Sequence, residues 1–153
     1  MVADHGRADV YAAEIAAFEG TTFERVTTLE ELVTLAQRLC AADWWPTEHV
    51  AVVASRGDAF SSSTRQRGGG APVVRLAAPQ MTPATLVHEL GHVLAGVPAG
   101  HGPLFRRAYA DLALAAFGAE PASWLLDQFA EHRLAVGKRT WPTPDEYRGP
   151  IAL

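Results

Sequence analysis

Apolar residues recur every three or four positions in several stretches of the chain, which is the period of a helix with one buried face. A hydroxyl residue opens two of these stretches: Thr28, with Glu31 three residues later as a capping box, and Thr82, which Pro83 follows. Glycine ends most of them, as is common at helix C-termini. The predicted helices cover residues 8–19, 28–42, 83–95, 103–117 and 121–136, with Gly20, Gly96, Gly118 and Gly137 as stops.

Short runs of β-branched residues predict strands at residues 49–54 and 73–78, and the alternation in 22–26 is compatible with a third, shorter strand. Serine, glycine and arginine dominate residues 56–70, which predicts a mobile loop and raises the hypothesis of a lid. We expect residues 1–7 and 138–153 to be extended tails, the latter on the surface.

The composition describes an ordinary globular domain, because 48% of the 153 residues are hydrophobic and 20% are charged. We therefore expect one domain over residues 1–153. The single cysteine excludes an internal disulfide or a ribbon built from cysteine pairs. A net charge of −4 argues against broad affinity for nucleic acid or an anionic membrane. Without a signal peptide or a run of ~20 apolar residues, a cytoplasmic protein is expected.

A zinc-binding pattern lies in the third predicted helix. His88 and His92 are four residues apart, so both imidazoles leave the same helix face and can reach one zinc ion at ~2.0–2.1 Å. Glu89 projects about 100° around the helix, which suits a base that takes a proton from the activated water. Random placement of this chain's histidines and glutamates gives about 0.015 such motifs. The pattern therefore predicts a zinc site rather than a core helix with incidental histidines.

A catalytic zinc ion needs a third protein ligand and an open fourth position. The metzincin spacing is excluded, because its third histidine would fall on Pro98. A glutamate on a later helix is one alternative, and here Glu131 is more suitable than Glu120. His101 is the other alternative, since the helix stop and turn after His92 allow the chain to return to the metal. We favour His101, and Glu131 stays open.

Other polar residues are candidates for supporting roles. The oxyanion of a tetrahedral intermediate needs a hydrogen-bond donor besides the metal, and Tyr109 and His132 are possible donors on later helices. A hydroxyl at the helix surface is the more ordinary expectation for Tyr109. Carboxylates usually orient ligand histidines, and Asp111 and Asp127 are the candidates, although a solvated position is more ordinary for each.

The motif as a whole resembles a known family. HELGH at residues 88–92, a turn, and HGPLF at residues 101–105 are similar to the HExxH…HGxxF signature of SprT-like (Spartan-type) zinc metallopeptidases. Over most of its length the chain also resembles a family of small actinobacterial metallohydrolases, with residues 7–14 and 118–137 adding to the likeness.

The resemblance implies a zincin-like α+β fold, in which a small mixed sheet lies over the active-site helix and further helices lie beneath. It also implies that His101 is the third ligand and that Phe105 packs the following helix. In such folds the strand at residues 73–78 forms the upper rim of the cleft, and a substrate peptide pairs with its exposed edge. SprT-like proteins often carry a C-terminal zinc ribbon or DNA-binding tail, which the single cysteine does not support.

These patterns predict a zinc-dependent hydrolase with one Zn²⁺ per chain, held by His88, His92 and His101, with Glu89 as the base. We favour a metallopeptidase that acts on a peptide or protein substrate. Two alternatives stay open: a non-catalytic zinc- and peptide-binding module, and a zinc hydrolase of small non-peptide amides.

Overall fold

Five α-helices and a three-stranded mixed sheet make up the part of the chain that the computed structural model describes, namely Asp4 and residues 6–47, 49–56, 61–65 and 70–150. The expected α+β class is confirmed. The helices are α1 (Arg7–Phe18), α2 (Leu29–Cys40), α3 (Pro83–Ala95), α4 (Pro103–Phe117) and α5 (Ala119–Glu131), and the strands are β1 (Ala51–Ala54), β2 (Ser62–Arg65) and β3 (Pro72–Leu76).

The residues that mark helix ends in the sequence predict where α2 and α3 begin and where α3 ends. The Thr28 hydroxyl accepts a hydrogen bond from the Glu31 backbone N–H at 3.2 Å, and the Thr82 hydroxyl accepts one from Thr85 at 3.1 Å. Both threonines therefore satisfy a backbone donor that the first turn of a helix leaves unpaired. Gly96 follows α3 with φ 91°, a left-handed conformation that residues with a side chain adopt only under strain.

The predicted helix over residues 121–136 is too long at its C-terminal end, because α5 ends at Glu131. Arg133 has φ 56°, and the Leu134 N–H donates to the Phe129 carbonyl at 2.8 Å, which is the closing bond of a Schellman motif. This position usually holds glycine, so an arginine there gave no stop signal in the sequence.

The sheet has the strand order β1-β3-β2, with β1 parallel and β2 antiparallel to β3. The expectation of a loop over residues 56–70 is thus wrong for residues 62–65, which form β2. Serine, threonine and arginine supply no apolar alternation there, and the strand is defined by its pairing with β3. Residues 57–60 and 66–69, the rest of the suggested lid, lie outside the described residues.

The central position of β3 corrects the expected substrate edge. Backbone pairing occupies both sides of β3, so the strand predicted at residues 73–78 has no free edge for a peptide. Among the described strands the edges belong to β1 and β2. Helix α3 packs against β2 and β3, and α2 packs against β1.

Aromatic residues fill the core around these elements. The strand expected at residues 22–26 is instead a short 3-10 helix over Thr22–Glu24, whose buried Phe23 stacks on Phe117 with the ring centroids 4.1 Å apart. Trp44 and Trp45, which follow α2, are both buried in the core. None of the helices in the described part of the chain is long and apolar enough to cross a membrane.

The C-terminal segment packs on α4, although we expected a surface tail. Trp141 is buried, and its indole N–H donates to Asp111 at 2.9 Å. Arg139 donates to the same carboxylate at 2.7 and 3.0 Å. Residues 138–150 are irregular in backbone, but these contacts attach them to the helical core.

Candidate metal centre

Three histidines from two parts of the chain converge beside α3. His88 and His92 lie one turn apart on the helix, and the turn around Gly96 and Gly100 returns the chain so that His101 faces them. One ring nitrogen from each histidine lies within 4.8 Å of the other two. We call these residues the histidine cluster. They lie close enough together to bind one metal ion.

The spacing of two of these nitrogens fits a metal ion directly. Nε2 of His88 and Nε2 of His101 are 3.3 Å apart. Two ligands on a tetrahedral ion with bonds of ~2.0–2.1 Å, as in zinc sites, are separated by about 3.3 Å. The separation of these two atoms therefore matches that of two ligands on one tetrahedral ion.

Asp4 fixes the tautomer of His101. Its carboxylate lies 2.6 Å from Nδ1 of His101 and also accepts the His101 backbone N–H at 2.9 Å. Because a carboxylate accepts hydrogen bonds, the ring proton resides on Nδ1 and the lone pair on Nε2 faces the cluster. The carboxylate thus orients His101 within the histidine cluster, a role for which the sequence gave no sign at position 4.

The Glu14 carboxylate lies beside Nδ1 of His88, as the Asp4 carboxylate lies beside Nδ1 of His101. Its carboxylate is 7% exposed and lies 3.4 Å from Nδ1 of His88. That distance is long for a hydrogen bond, and this Nδ1 has no hydrogen-bond partner among the described residues, so we treat the contact as electrostatic. Nε2 of His88 is left to face His101.

Tyr109 packs against His88 in the protein interior and is not exposed on its helix. It is fully buried, and its hydroxyl donates to the Glu14 carboxylate at 2.5 Å. The expected surface position is therefore wrong. Since the hydroxyl proton is engaged by a buried carboxylate, the geometry does not favour Tyr109 as a donor to a substrate oxyanion.

The electrostatics favour neutral imidazoles at two of the three positions. Burial, together with the neighbouring His88 and His101, lowers the pKa of His92 to about 3. Burial also lowers the pKa of His101, despite its contact with Asp4. Burial acts in the same direction on His88, but the Glu14 carboxylate outweighs it and raises that pKa. Neutral imidazoles offer the lone pairs that a metal ion needs.

Phe105 packs against the histidine cluster, and Gly91 leaves space for its ring. The Phe105 ring stacks on His92 with the centroids 4.2 Å apart and the planes 20° from parallel. A Cβ atom at Gly91 would lie 3.0 Å from Phe105, closer than carbon atoms normally approach. Glycine inside the motif therefore gives the phenylalanine ring the room to lie against His92.

Glu89 faces a cavity between α1 and α3. The cavity has a volume of about 260 Å³, and we call it the α1–α3 cavity. Its lining includes a histidine of the cluster together with residues of both helices: Arg7, Tyr11, Glu14, Thr85, His88 and Glu89. A larger cavity of about 380 Å³ lies elsewhere, near Phe23 and Tyr147, and none of the three histidines lines it. The expected base Glu89 and one histidine of the cluster, His88, thus line the same smaller cavity.

The other residues considered from the sequence lie outside the cluster. Glu131 and Glu120 are exposed on α5, so His101 supplies the third nitrogen. Asp127 is exposed, whereas Asp111 is buried but bound to Arg139 and Trp141. The Nδ1 atom of His132 contacts the Gln128 carbonyl of its own helix at 2.8 Å.

The residues that the sequence analysis missed are Asp4 and those of one face of α1. Arg7, Tyr11 and Glu14 have the i, i+4, i+7 spacing of neighbours on a helix surface. In a helix made largely of alanine, this polar stripe was the available signal. Asp4 had none, because its contact with His101 spans 97 residues.

Known proteins offered no match to this chain: a scan against protein-family models, a search of curated proteins and a search of solved structures each found none. The histidine cluster and the α1–α3 cavity are therefore the features of the molecule that point to a function.

Proposed function

We propose that the protein is a zinc-dependent hydrolase, and specifically a zincin-like metallopeptidase related to the SprT-like enzymes. One observation carries the proposal: three histidines lie close enough together to bind one ion, and the glutamate next in sequence to His88 lines the same cavity as His88. Metal-binding modules need the first of these features, whereas hydrolysis also needs the second.

The donor set supports zinc. Calcium and magnesium prefer oxygen ligands, while neutral imidazoles suit zinc and other late first-row ions. Three protein ligands leave the fourth position of a tetrahedral ion open, which is the arrangement of catalytic rather than structural zinc sites. Asp4 and Glu14 supply the carboxylates that usually stand behind such histidines.

The residues then have defined roles in hydrolysis. When bound, zinc supplies Lewis acidity and lowers the pKa of water. Glu89 accepts a proton from the water as its oxygen adds to the substrate carbonyl carbon, and delivers that proton to the amine nitrogen as the C–N bond breaks. One water molecule is consumed, and a carboxylic acid and an amine are released.

The sheet edge next to the cavity supports an extended peptide as substrate. Ser61, directly before β2, lines the α1–α3 cavity, and β2 is an edge strand of the described sheet. A peptide added beside β2 by backbone hydrogen bonds would lie close to the α1–α3 cavity at the Ser61 end of the strand. This edge replaces the β3 edge expected from the sequence.

A hydrolase of small amides is the second candidate, and the size of the cavity favours it. A volume of about 260 Å³ is slightly below the range of ~300–1,000 Å³ that is typical of small-ligand pockets. The two substrates are separated by assaying an unfolded protein such as casein and an N-acetylated amino acid amide in parallel.

Metal content tests the proposed centre. We expect one zinc ion per chain in the wild type and in Glu131→Ala, and none in His101→Ala, measured by elemental analysis after purification. A wild type without zinc, even after reloading, would remove the basis of the proposal.

Turnover tests the role of Glu89. We expect Glu89→Gln to keep its zinc and to lose at least about 100-fold in kcat, because general base catalysis contributes factors of this size. Glu120→Gln, on the exposed surface of α5, is the matched control and should retain full activity. Full turnover by Glu89→Gln would favour another base.

A further inference from the structure

A tyrosine on α1 lies against the histidine cluster from the solvent side. The Tyr11 ring stacks on His88 with the centroids 5.4 Å apart and the planes 12° from parallel, and lies 5.6 Å from the His101 ring. Tyr11 is nevertheless 39% exposed. Its position is therefore both adjacent to the cluster and accessible to a molecule entering the site.

Tyr11 also shares the α1–α3 cavity with the proposed base. Tyr11, Glu89 and Arg7 all line it, and the Arg7 guanidinium lies 5.8 Å from the centre of the Tyr11 ring. The cavity is therefore lined by a phenol and a guanidinium from α1 and by the Glu89 carboxylate from α3, so both hydrogen-bond donors and a base are present. Negative charge that develops on a substrate inside it would be stabilised by the donors.

We infer that Tyr11 is a catalytic residue whose hydroxyl donates a hydrogen bond to the substrate oxygen that becomes negatively charged during hydrolysis. This inference rests on the proposed function. The phenol keeps its own proton throughout, so the step changes no bond other than the hydrogen bond. Arg7 acts as a positioning residue, since its charge lies over the face of the Tyr11 ring.

The other tyrosines of the chain do not fit this role. The chain has three tyrosines. The Tyr109 hydroxyl is fully buried and donates to Glu14. Tyr147 lies 4.7 Å from the Arg38 guanidinium and lines the larger cavity, away from the histidine cluster. Tyr11 is thus the tyrosine that combines access with proximity to the cluster.

A purely structural role makes a different prediction. If Tyr11 serves only to stack on His88, then Tyr11→Phe retains the ring and should behave as the wild type. If the hydroxyl is the functional group, Tyr11→Phe should retain zinc and lose activity. The matched control is Tyr147→Phe, which removes a hydroxyl remote from the site.

The kinetic test uses the zinc-loaded full chain and a fluorogenic peptide cleaved by the wild type. We expect Tyr11→Phe to lower kcat by about 100-fold with KM within about two-fold, since removal of one oxyanion donor typically costs 10²–10³ in kcat. Tyr147→Phe should match the wild type in both constants. Loss of zinc from Tyr11→Phe, or an unchanged kcat, would overturn the inference.

A binding test is independent of turnover. Phenylphosphonate mimics the charge of the tetrahedral state, and calorimetry gives its affinity for each zinc-loaded protein. We expect Tyr11→Phe to bind phenylphosphonate about 10- to 100-fold more weakly than the wild type, because this is the effect of losing a hydrogen bond to a charged group. Acetohydroxamate serves as the control ligand, and the affinities of the two proteins for it should agree within two-fold. Equal phosphonate affinities, or no phosphonate binding by the wild type, would overturn the inference. A wild type that cleaves no peptide but binds phosphonate through Tyr11 would refute the peptidase proposal while supporting the donor role.

Discussion

Removal of the Asp4 carboxylate should weaken zinc binding without unfolding the protein. Asp4 holds His101 through two contacts, 2.6 Å to the ring nitrogen and 2.9 Å from the backbone N–H. Without them the ring loses its fixed tautomer and orientation, and carboxylates in this position typically contribute 10- to 100-fold to metal affinity. For Asp4→Ala we therefore expect a Kd for zinc about 10- to 100-fold higher, equivalent to about 1.4–2.7 kcal/mol.

Competition with a chromophoric chelator at pH 7.4 measures this Kd. Asp9→Ala is the matched control, because Asp9 is an exposed aspartate near the start of α1 with no contact to the cluster among the described residues. Asp4→Asn should fall between Asp4→Ala and the wild type, since an amide oxygen still accepts the backbone N–H. If Asp4→Ala and Asp9→Ala bind zinc with equal affinity, the carboxylate does not orient His101 and our reasoning is wrong.

Three further substitutions test the packing and charge around the site in metal-free protein by urea unfolding. Tyr109→Phe leaves the buried Glu14 carboxylate without its donor and should cost about 1–3 kcal/mol; no change would mean that water replaces the hydroxyl. Gly91→Ala forces Phe105 to shift and should cost about 1–3 kcal/mol; a neutral effect would show that the ring moves freely. Burial, reinforced by the charge of Glu14, raises the pKa of Glu24 from its ordinary 4.5 to about 7, so the folded protein retains a proton that the unfolded chain has released. The contribution of Glu24 to stability therefore falls as the pH rises from 4.5 to 7, and Glu24→Gln should be more stable than the wild type by about 1–2 kcal/mol at pH 8, a figure discounted for partial exposure, but not at pH 4. Parallel pH curves for the two proteins would contradict this.

The helices were predictable because their ends are marked by neighbouring residues. Thr82 caps α3 through a bond to Thr85, and Gly96 supplies the left-handed residue that ends it. Both signals lie within four residues of the feature that they specify. The same holds for the pair His88 and His92, whose common face follows from helix geometry alone.

The missed features depend on contacts between distant residues. Strand β2 exists through its pairing with β3, since its own residues lack an apolar alternation. Glu14 and Tyr109 are 95 residues apart, and nothing local marks either as a partner of the other. The carboxylates that orient the histidines are therefore harder to predict than the histidines themselves. Helical spacing determines the position of a histidine pair, whereas tertiary packing determines which carboxylate lies beside it.

If the proposed zinc ion binds at the histidine cluster, the carboxylates around it should link metal binding to the stability of the fold. Asp4, Glu14 and Glu89 surround the three histidines, and the last two carboxylates are buried. Buried carboxylates of like charge destabilise a folded protein unless a cation compensates them, and a divalent ion bound at the cluster would do so. At a free zinc concentration of about 1,000 times Kd, the gain is about 4 kcal/mol, which corresponds to about 8–16 °C in Tm for a domain of this size.

Differential scanning calorimetry of the wild type with zinc and with excess chelator measures this shift. His101→Ala retains all three carboxylates but lacks a ligand, so its Tm should respond much less to zinc. An equal response from the two proteins would mean that zinc stabilises the fold at some other place. A shift confined to the wild type would assign the stabilisation to the histidine cluster.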